Sequence, residues 1–247
     1  MKKILMLMML MPLLVWADAE TVGGITWTYT VSGEQASVGS GSSAAIAKST
    51  TGSITIPSTL GGYMVKGVGD YAFYGCSGLT SVTIPEGVTS VGNSAFQGCA
   101  GLVSVAIPTS VTSIGSSAFR GCRGMADADG FVIIRDVLYD YYGNATSVRI
   151  PSNVTGIGYY AFGNCSGLIS VTIPLSVTSI GAEAFSGTKL LAEHADGLVI
   201  VDNCLVASKG VCSEKVVVPY GVRIIGCSAK SGTGIAVCGM ELLRETA

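Results

Sequence analysis

The sequence predicts a β-rich solenoid of stacked 23-residue coils, with short helical or 3-10 turns and an N-terminal β-hairpin cap. Three observations predict it. A unit recurs in one phase: SVTIPEGVTSVGNSAFQGCAGLV from Ser81, SVAIPTSVTSIGSSAFRGCRGMA from Ser104, SVRIPSNVTGIGYYAFGNCSGLI from Ser147 and SVTIPLSVTSIGAEAFSGTKLLA from Ser170. Six of the seven prolines fall on that grid (Pro57, Pro85, Pro108, Pro151, Pro174, Pro219), as do five of the six phenylalanines (Phe73, Phe96, Phe119, Phe162, Phe185). Cys76, Cys99, Cys122 and Cys165 share one slot, and Thr188 fills the fifth. A repeat of 20 to 50 residues is the signature of stacked repeat architectures.

Composition agrees. Hydrophobic residues make up 49% of the 247-residue chain and charged residues only 12%, the reverse of a disordered chain. The net charge of −2 leaves no basic footprint for nucleic acid.

The elements follow in order. Residues 1–19 read as a secretory signal peptide: Lys2 and Lys3 precede the apolar run Ile4 to Val15, and small residues offer cleavage after Ala17 or Ala19. That run is shorter than the ~20 residues a bilayer span needs, so no transmembrane segment is expected after cleavage. Residues 20–52 alternate through Ile25 to Val31, turn at Ser32-Gly33-Glu34 and return through Ala36 to Val38, which predicts a capping hairpin. Residues 53–229 hold the coils. In each, apolar residues such as Leu79, Val82 and Ile84 face the core, Ser81 and Thr83 face out, and Pro85 stops the ladder. Ala95, Phe96 and Cys99 are spaced like a helical or 3-10 corner, and the phenylalanines should form an aromatic spine.

The first unit carries extra length near Gly61-Gly62-Tyr63. Two inserts, at about 125–146 and 193–214, share a pattern: Asp129 to Ile134 matches Asp196 to Val201, and Val137-Leu138 matches Cys204-Leu205. Each reads as two strands around a turn, either a degenerate coil or a protruding hairpin. Residues 230–247 lose the grid as an irregular tail, which reflects an altered chain end or an unfamiliar cap.

The phased Ile-Pro, Ile-Gly, Ala-Phe and Gly-Cys pairs of SVTIPEGVTSVGNSAFQGC resemble the BspA-type leucine-rich repeat of bacterial surface antigens, over roughly residues 53–229. The resemblance implies a leucine-rich-repeat solenoid, export, and an adhesive or protein-binding role. It implies no catalytic residue and no cofactor.

The chemistry-bearing residues fit that reading. The grid cysteines lie parallel, one per coil, and read as a buried thiol ladder; Cys204 with Cys212 is the expected disulfide if one forms. The one histidine, His194, sits at an insert's start, which leaves little scope for a nucleophile–base pair. Asp127-Ala128-Asp129-Gly130 hints at a calcium loop but lacks the further ligands. Gly39-Ser40-Gly41-Ser42-Ser43-Ala44 matches a dinucleotide-binding string without the helix and acid that site needs, and reads as a polar loop. Asn144, Asn153 and Asn164 head glycosylation sequons.

The expected function is therefore non-catalytic binding by a secreted or cell-surface protein, with an extracellular protein or glycan as partner. The expected contact surface is Arg135, Tyr139, Tyr141, Tyr142 and Arg149, with the hydroxyl ribbon Ser81, Thr83, Ser104, Ser147, Ser170 and Thr172; strand alternation should bury some of the three tyrosines. The alternative is a structural protein that self-associates end to end through its C-terminal coil.

Overall fold

The computed structural model describes residues 17–163, 165–193, 197–209, 215–218, 223–224, 226–228 and 241–244. The chain divides into two compact units, Met1–Ala118 and Phe119–Ala247.

The first unit opens with β1 (Ala17–Val22), β2 (Ile25–Ser32) and β3 (Gln35–Val38), an antiparallel meander. There follow β4 (Gly52–Thr55), β5 (Thr59–Leu60), β6 (Tyr63–Val68), β7 (Leu79–Thr83), β8 (Ser90–Val91), β9 (Ser104–Ala106) and β10 (Ser113–Ile114). They form two parallel ladders, β4-β7-β9 and β3-β6-β8-β10. Because β3 pairs in parallel with β6, the N-terminal hairpin supplies the first rung of the second ladder. It buries Trp27, whose ring meets Phe73 edge-on at 6.2 Å. The extra length near Gly61 is the β5–β6 hairpin, turned at Gly61-Gly62 with φ of +59° and +82°.

One coil shows how the sequence dictates the path. Val82 and Ile84 are buried, while Thr83 is exposed. The Ile84 amide still bonds the Ala106 carbonyl at 3.0 Å, and Pro85, with no N–H, ends the ladder there. At the next corner a Cβ on Gly92 would lie 2.5 Å from the Asp70 amide nitrogen, so only glycine lets successive coils approach this closely. Ser94 then takes a left-handed φ of +52°, and Tyr71, Ser117, Tyr160 and Glu183 do the same at +58°, +56°, +58° and +56°. The following segment is a run of i→i+3 turns rather than a helix: Gln97 bonds Ser94 at 3.1 Å, Cys99 bonds Phe96 at 3.1 Å, and Leu102 bonds Cys99 at 3.0 Å. Inside, Phe73 and Phe96 stack at 4.9 Å with ring planes 4° apart.

The second unit begins with a 3-10 turn at Arg123–Met125, then β11 (Phe131–Ile134), β12 (Val137–Tyr141), β13 (Ser147–Arg149), β14 (Gly156–Ile157), β15 (Ser170–Thr172) and β16 (Ser179–Gly181). It continues through the helix α1 (Lys189–Ala192), β17 (Gly197–Val201), β18 (Cys204–Lys209), β19 (Lys215–Val218), β20 (Arg223–Ile224), β21 (Gly226–Ser228) and β22 (Glu241–Arg244). Here β13 pairs with β15, and β12-β14-β16-β21 form the second ladder. No helix among the described residues is long and apolar enough to cross a membrane.

The inserts combine the two expected forms. β11 and β12 make an antiparallel hairpin, and β12 then joins the parallel ladder as a rung beside β14. Tyr141 stands where a coil would place its phenylalanine: its ring lies 4.9 Å from Phe131 and 5.4 Å from Phe162, which stacks on Phe185 at 5.2 Å. The Cys165 thiol points at the Tyr141 carbonyl, 3.6 Å away, as Cys99 points at the Phe73 carbonyl at 3.0 Å. The second insert repeats the design, with β17–β18 antiparallel and β18 parallel to β20.

Cys76, Cys99, Cys122 and Cys165 are thiols, the first three buried. Burial pushes the Cys99 pKa up to about 12 and that of Cys165 to about 11, so neither is a reactive thiolate near neutrality. Residues 1–16, His194, Asn164, Cys212 and Cys238, the side chain of Cys227, and most of the C-terminal coil proposed for end-to-end stacking lie outside the described residues.

Candidate functional site

The first insert and the strand after it enclose a cleft of about 670 Å³, lined by Arg123, Asp127, Asp129, Tyr142, Asn144 and Arg149 among others. Its floor is a close backbone approach. Tyr142 N–H donates to the Gly130 carbonyl at 2.7 Å, and a Cβ on Gly130 would meet the Gly143 nitrogen at 2.5 Å.

A buried carboxylate organises the edge. Asp140 is 3% exposed and accepts three hydrogen bonds: from Gly121 N–H at 2.9 Å, Tyr141 N–H at 3.0 Å and the Tyr142 hydroxyl at 2.8 Å. Burial, and then the bond to Asp140, hold the Tyr142 phenol above its ordinary pKa. Tyr142 therefore stays a neutral donor, pinned at its hydroxyl, with its ring half-buried. The Arg123 guanidinium lies 5.5 Å from the centre of that ring, within reach of a cation–π contact.

Asp127 has a different task. Its Oδ1 accepts from Asp129 N–H at 3.0 Å and Phe131 N–H at 2.9 Å, closing the turn into β11. The suspected calcium loop is thus a side-chain-tied turn, and no metal-ligand cluster occurs among the described residues. The Gly39 to Ala44 string opens no helix; it is a run of bends.

The predicted contact residues divide. Tyr142, Ser147 and Arg149 meet at the cleft. Tyr139 and Tyr141 do not: each is only 5% exposed, which corrects the expectation that they present a surface. The reason is the ladder. As a rung, β12 sends both rings into packed aromatic contacts, Tyr139 against Phe119 at 5.4 Å and Tyr141 between Phe131 and Phe162. Burial also lifts the Tyr139 pKa to about 12. Arg135 is exposed in the hairpin turn, at φ +48°, and does not line the cleft. Ser81, Thr83 and Ser104 belong to the first unit, while Ser170 and Thr172 pair with Ser147 and Arg149 in the second. The serine hydroxyls are joined to each other, Ser104 to Ser81 at 3.1 Å and Ser170 to Ser147 at 2.8 Å.

Sequence reasoning missed Arg123 and the organising role of Asp140. Arg123 had a visible signal: it fills a slot after the grid cysteine that holds Ser77, Ala100 and Ser166 elsewhere.

The BspA type leucine rich repeat region matches in six copies, over residues 42–129 and 132–196. The chain belongs to this family of leucine-rich-repeat proteins. Among solved structures it is similar to the T. pallidum leucine rich repeat protein, with 26% identity over 65% of this chain and 64% of that one, and a TM-score of 0.41. It is also similar to a leucine rich cell surface protein of Faecalibacterium prausnitzii, with 22% identity, 83% and 65% coverage, and a TM-score of 0.39. A leucine-rich repeat protein of Bacteroides ovatus shares 23% identity, with 85% and 67% coverage and a TM-score of 0.39. The chain thus spans 64% and 65% of the length of the first two. No curated protein matches it.

Proposed function

We propose that this chain is a secreted or cell-surface, non-catalytic binding protein that receives an extracellular protein partner at the cleft beside β12. One observation carries the reading: Tyr142 is pinned by Asp140 and covered by Arg123, in a cleft that also holds Arg149. Tyr and Arg are the residues that dominate binding energy at interfaces, and a side chain already immobilised loses little entropy on binding. The cleft sets Arg123 and Arg149 beside Asp127 and Asp129, so it suits a partner segment that carries both signs of charge. Family membership and the signal-like N-terminus support the extracellular setting.

The test is surface-plasmon binding of the mature chain to a panel of immobilised extracellular-matrix proteins. A Tyr142→Ala, Arg149→Ala variant should lose at least about 2 kcal/mol, close to thirtyfold in affinity. Ser81→Ala with Ser104→Ala should leave binding unchanged. A folded Tyr142/Arg149 variant of full affinity would move the site elsewhere.

A further inference from the structure

The loop that imitates a dinucleotide string lines a second cleft, in the first unit. Ser42 and Ser43, with Lys48, Tyr71, Tyr74 and Gln97, border a space of about 540 Å³. That is within the range of roughly 300 to 1,000 Å³ typical of small-ligand sites. Tyr71 and Tyr74 are each 41% exposed, and their rings meet edge to face at 5.8 Å and 70°. The Lys48 ammonium lies 5.1 Å from the Tyr74 ring centre.

The fold does not ask for these tyrosines. Ser94, Ser117 and Glu183 fill the Tyr71 place in three other coils with the same left-handed backbone and Tyr160 fills it in a fourth, while Gln97, Arg120, Gly163 and Ser186 fill that of Tyr74, so the tyrosine pair occurs in this coil alone among the five. A bulky residue at positive φ is disfavoured, a cost that Tyr71 shares with Tyr160. The lining also has a definite charge. Among the described residues that border it, Lys48 is the charged side chain and no Asp or Glu joins it.

We propose that this cleft binds a carboxylated sugar of an extracellular glycan. Of the two near-perpendicular rings, one takes the C–H face of a pyranose by dispersion and the other borders it. Ser42, Ser43 and Gln97 offer donors and acceptors for sugar hydroxyls. Lys48 pairs with the carboxylate. The chemistry is shared by sialic acid at a glycan's end and by uronic acid within a polysaccharide. The site lies in a different unit from the Arg123–Arg149 cleft and does not depend on the function proposed there.

Calorimetric titration with 3′-sialyllactose, digalacturonate and neutral lactose tests it. At least one acidic sugar should bind about tenfold more tightly than lactose, and which one does so identifies the source. Lys48→Gln should abolish that preference while leaving lactose affinity within about twofold. Tyr74→Ala should weaken every sugar that binds. Tyr71→Asn, which suits the left-handed backbone, should weaken them too if Tyr74→Ala fails to fold. Tyr142→Ala should change none of these affinities. Absence of any preference for acidic sugars in the unaltered chain, or its persistence in Lys48→Gln, would overturn the proposal.

Discussion

The two inserts are built alike and furnished differently. Arg135-Asp136 turns the first, with φ of +48° and +62°, and Asp202-Asn203 turns the second, with φ of +48° and +58°. Positive φ at both central residues is the tight turn whose twist matches a hairpin. Each hairpin carries one irregularity, between Val132 and Ile133 or between Val199 and Ile200, and each passes its second strand to a parallel neighbour. Past the turn the sequences part. Tyr139, Asp140, Tyr141 and Tyr142 stand where Val206, Ala207, Ser208 and Lys209 stand in the second insert. The shared features are therefore what the hairpin needs, and the aromatic and carboxylate set of the first insert is surplus to it. That surplus divides again: Tyr139 and Tyr141 repay their place through packing, while Asp140 and Tyr142 build the cleft.

Exchanging residues between the inserts can break or sharpen this comparison. The largest effect is expected from Tyr141→Ser, which removes a buried ring from between Phe131 and Phe162. By analogy with truncation of core aromatics it should cost about 3–5 kcal/mol, read by chemical denaturation. A loss below about 1 kcal/mol would show that Tyr141 fills no core place. Asp140→Ala comes next, at about 2–3 kcal/mol, because it strands buried donors. The Tyr142 phenol should then titrate at lower pH in an ultraviolet titration, since its bond to Asp140 helps to hold its pKa up.

A smaller effect concerns alkali. Cys99, Cys165 and Tyr139 have folded pKa values raised to about 12, 11 and 12, from 9.0, 9.0 and 10.0. Their neutral forms are the buried ones, so unfolding releases them to ionise. The stability they contribute is fully present below pH 9.0 and is lost as pH rises through 11 and 12. Tyr139→Val, copying Val206, should flatten this decline between pH 10 and 12 by up to about 1.4 kcal/mol per pH unit. An unchanged slope would mean that Tyr139 ionises alike in both states. The smallest effect belongs to the turn. Arg135→Asn with Asp136→Gly supplies the preferred pair for two positive φ angles and should stabilise by up to about 1 kcal/mol.

The repeat was legible because one side-chain type per place is enough to satisfy it. Pro85 marks the end of a strand by lacking a donor, and Phe96 and Cys99 mark the buried corner by size. The inserts' strands were legible from alternation and their shared pattern. Their way of joining the ladder was not, because a rung is defined by its parallel neighbour, such as β14 for β12, and that neighbour is distant in sequence. The same gap misplaced Tyr139 and Tyr141. Alternation buries some of the three insert tyrosines, but only the ladder shows that Tyr139 and Tyr141 are the ones whose contacts face inward. Arg123 and the organising role of Asp140 escaped notice because the cleft joins a corner turn to a hairpin strand, and neither has a motif.

The interval of 23 residues is written into the hydrogen bonds themselves: Asn93 N–H to the Asp70 carboxylate, Ser116 N–H to the Asn93 amide oxygen, Thr178 hydroxyl to the Thr155 carbonyl. Each partner is the same place one coil away. A gene that loses or gains a whole interval keeps the backbone partners of such bonds one coil apart, as the Thr155 carbonyl is from Thr178. A gene that loses half an interval keeps none. Length variants of this protein should accordingly differ by whole coils, and its reach should change in steps while the corner residues of each coil vary independently.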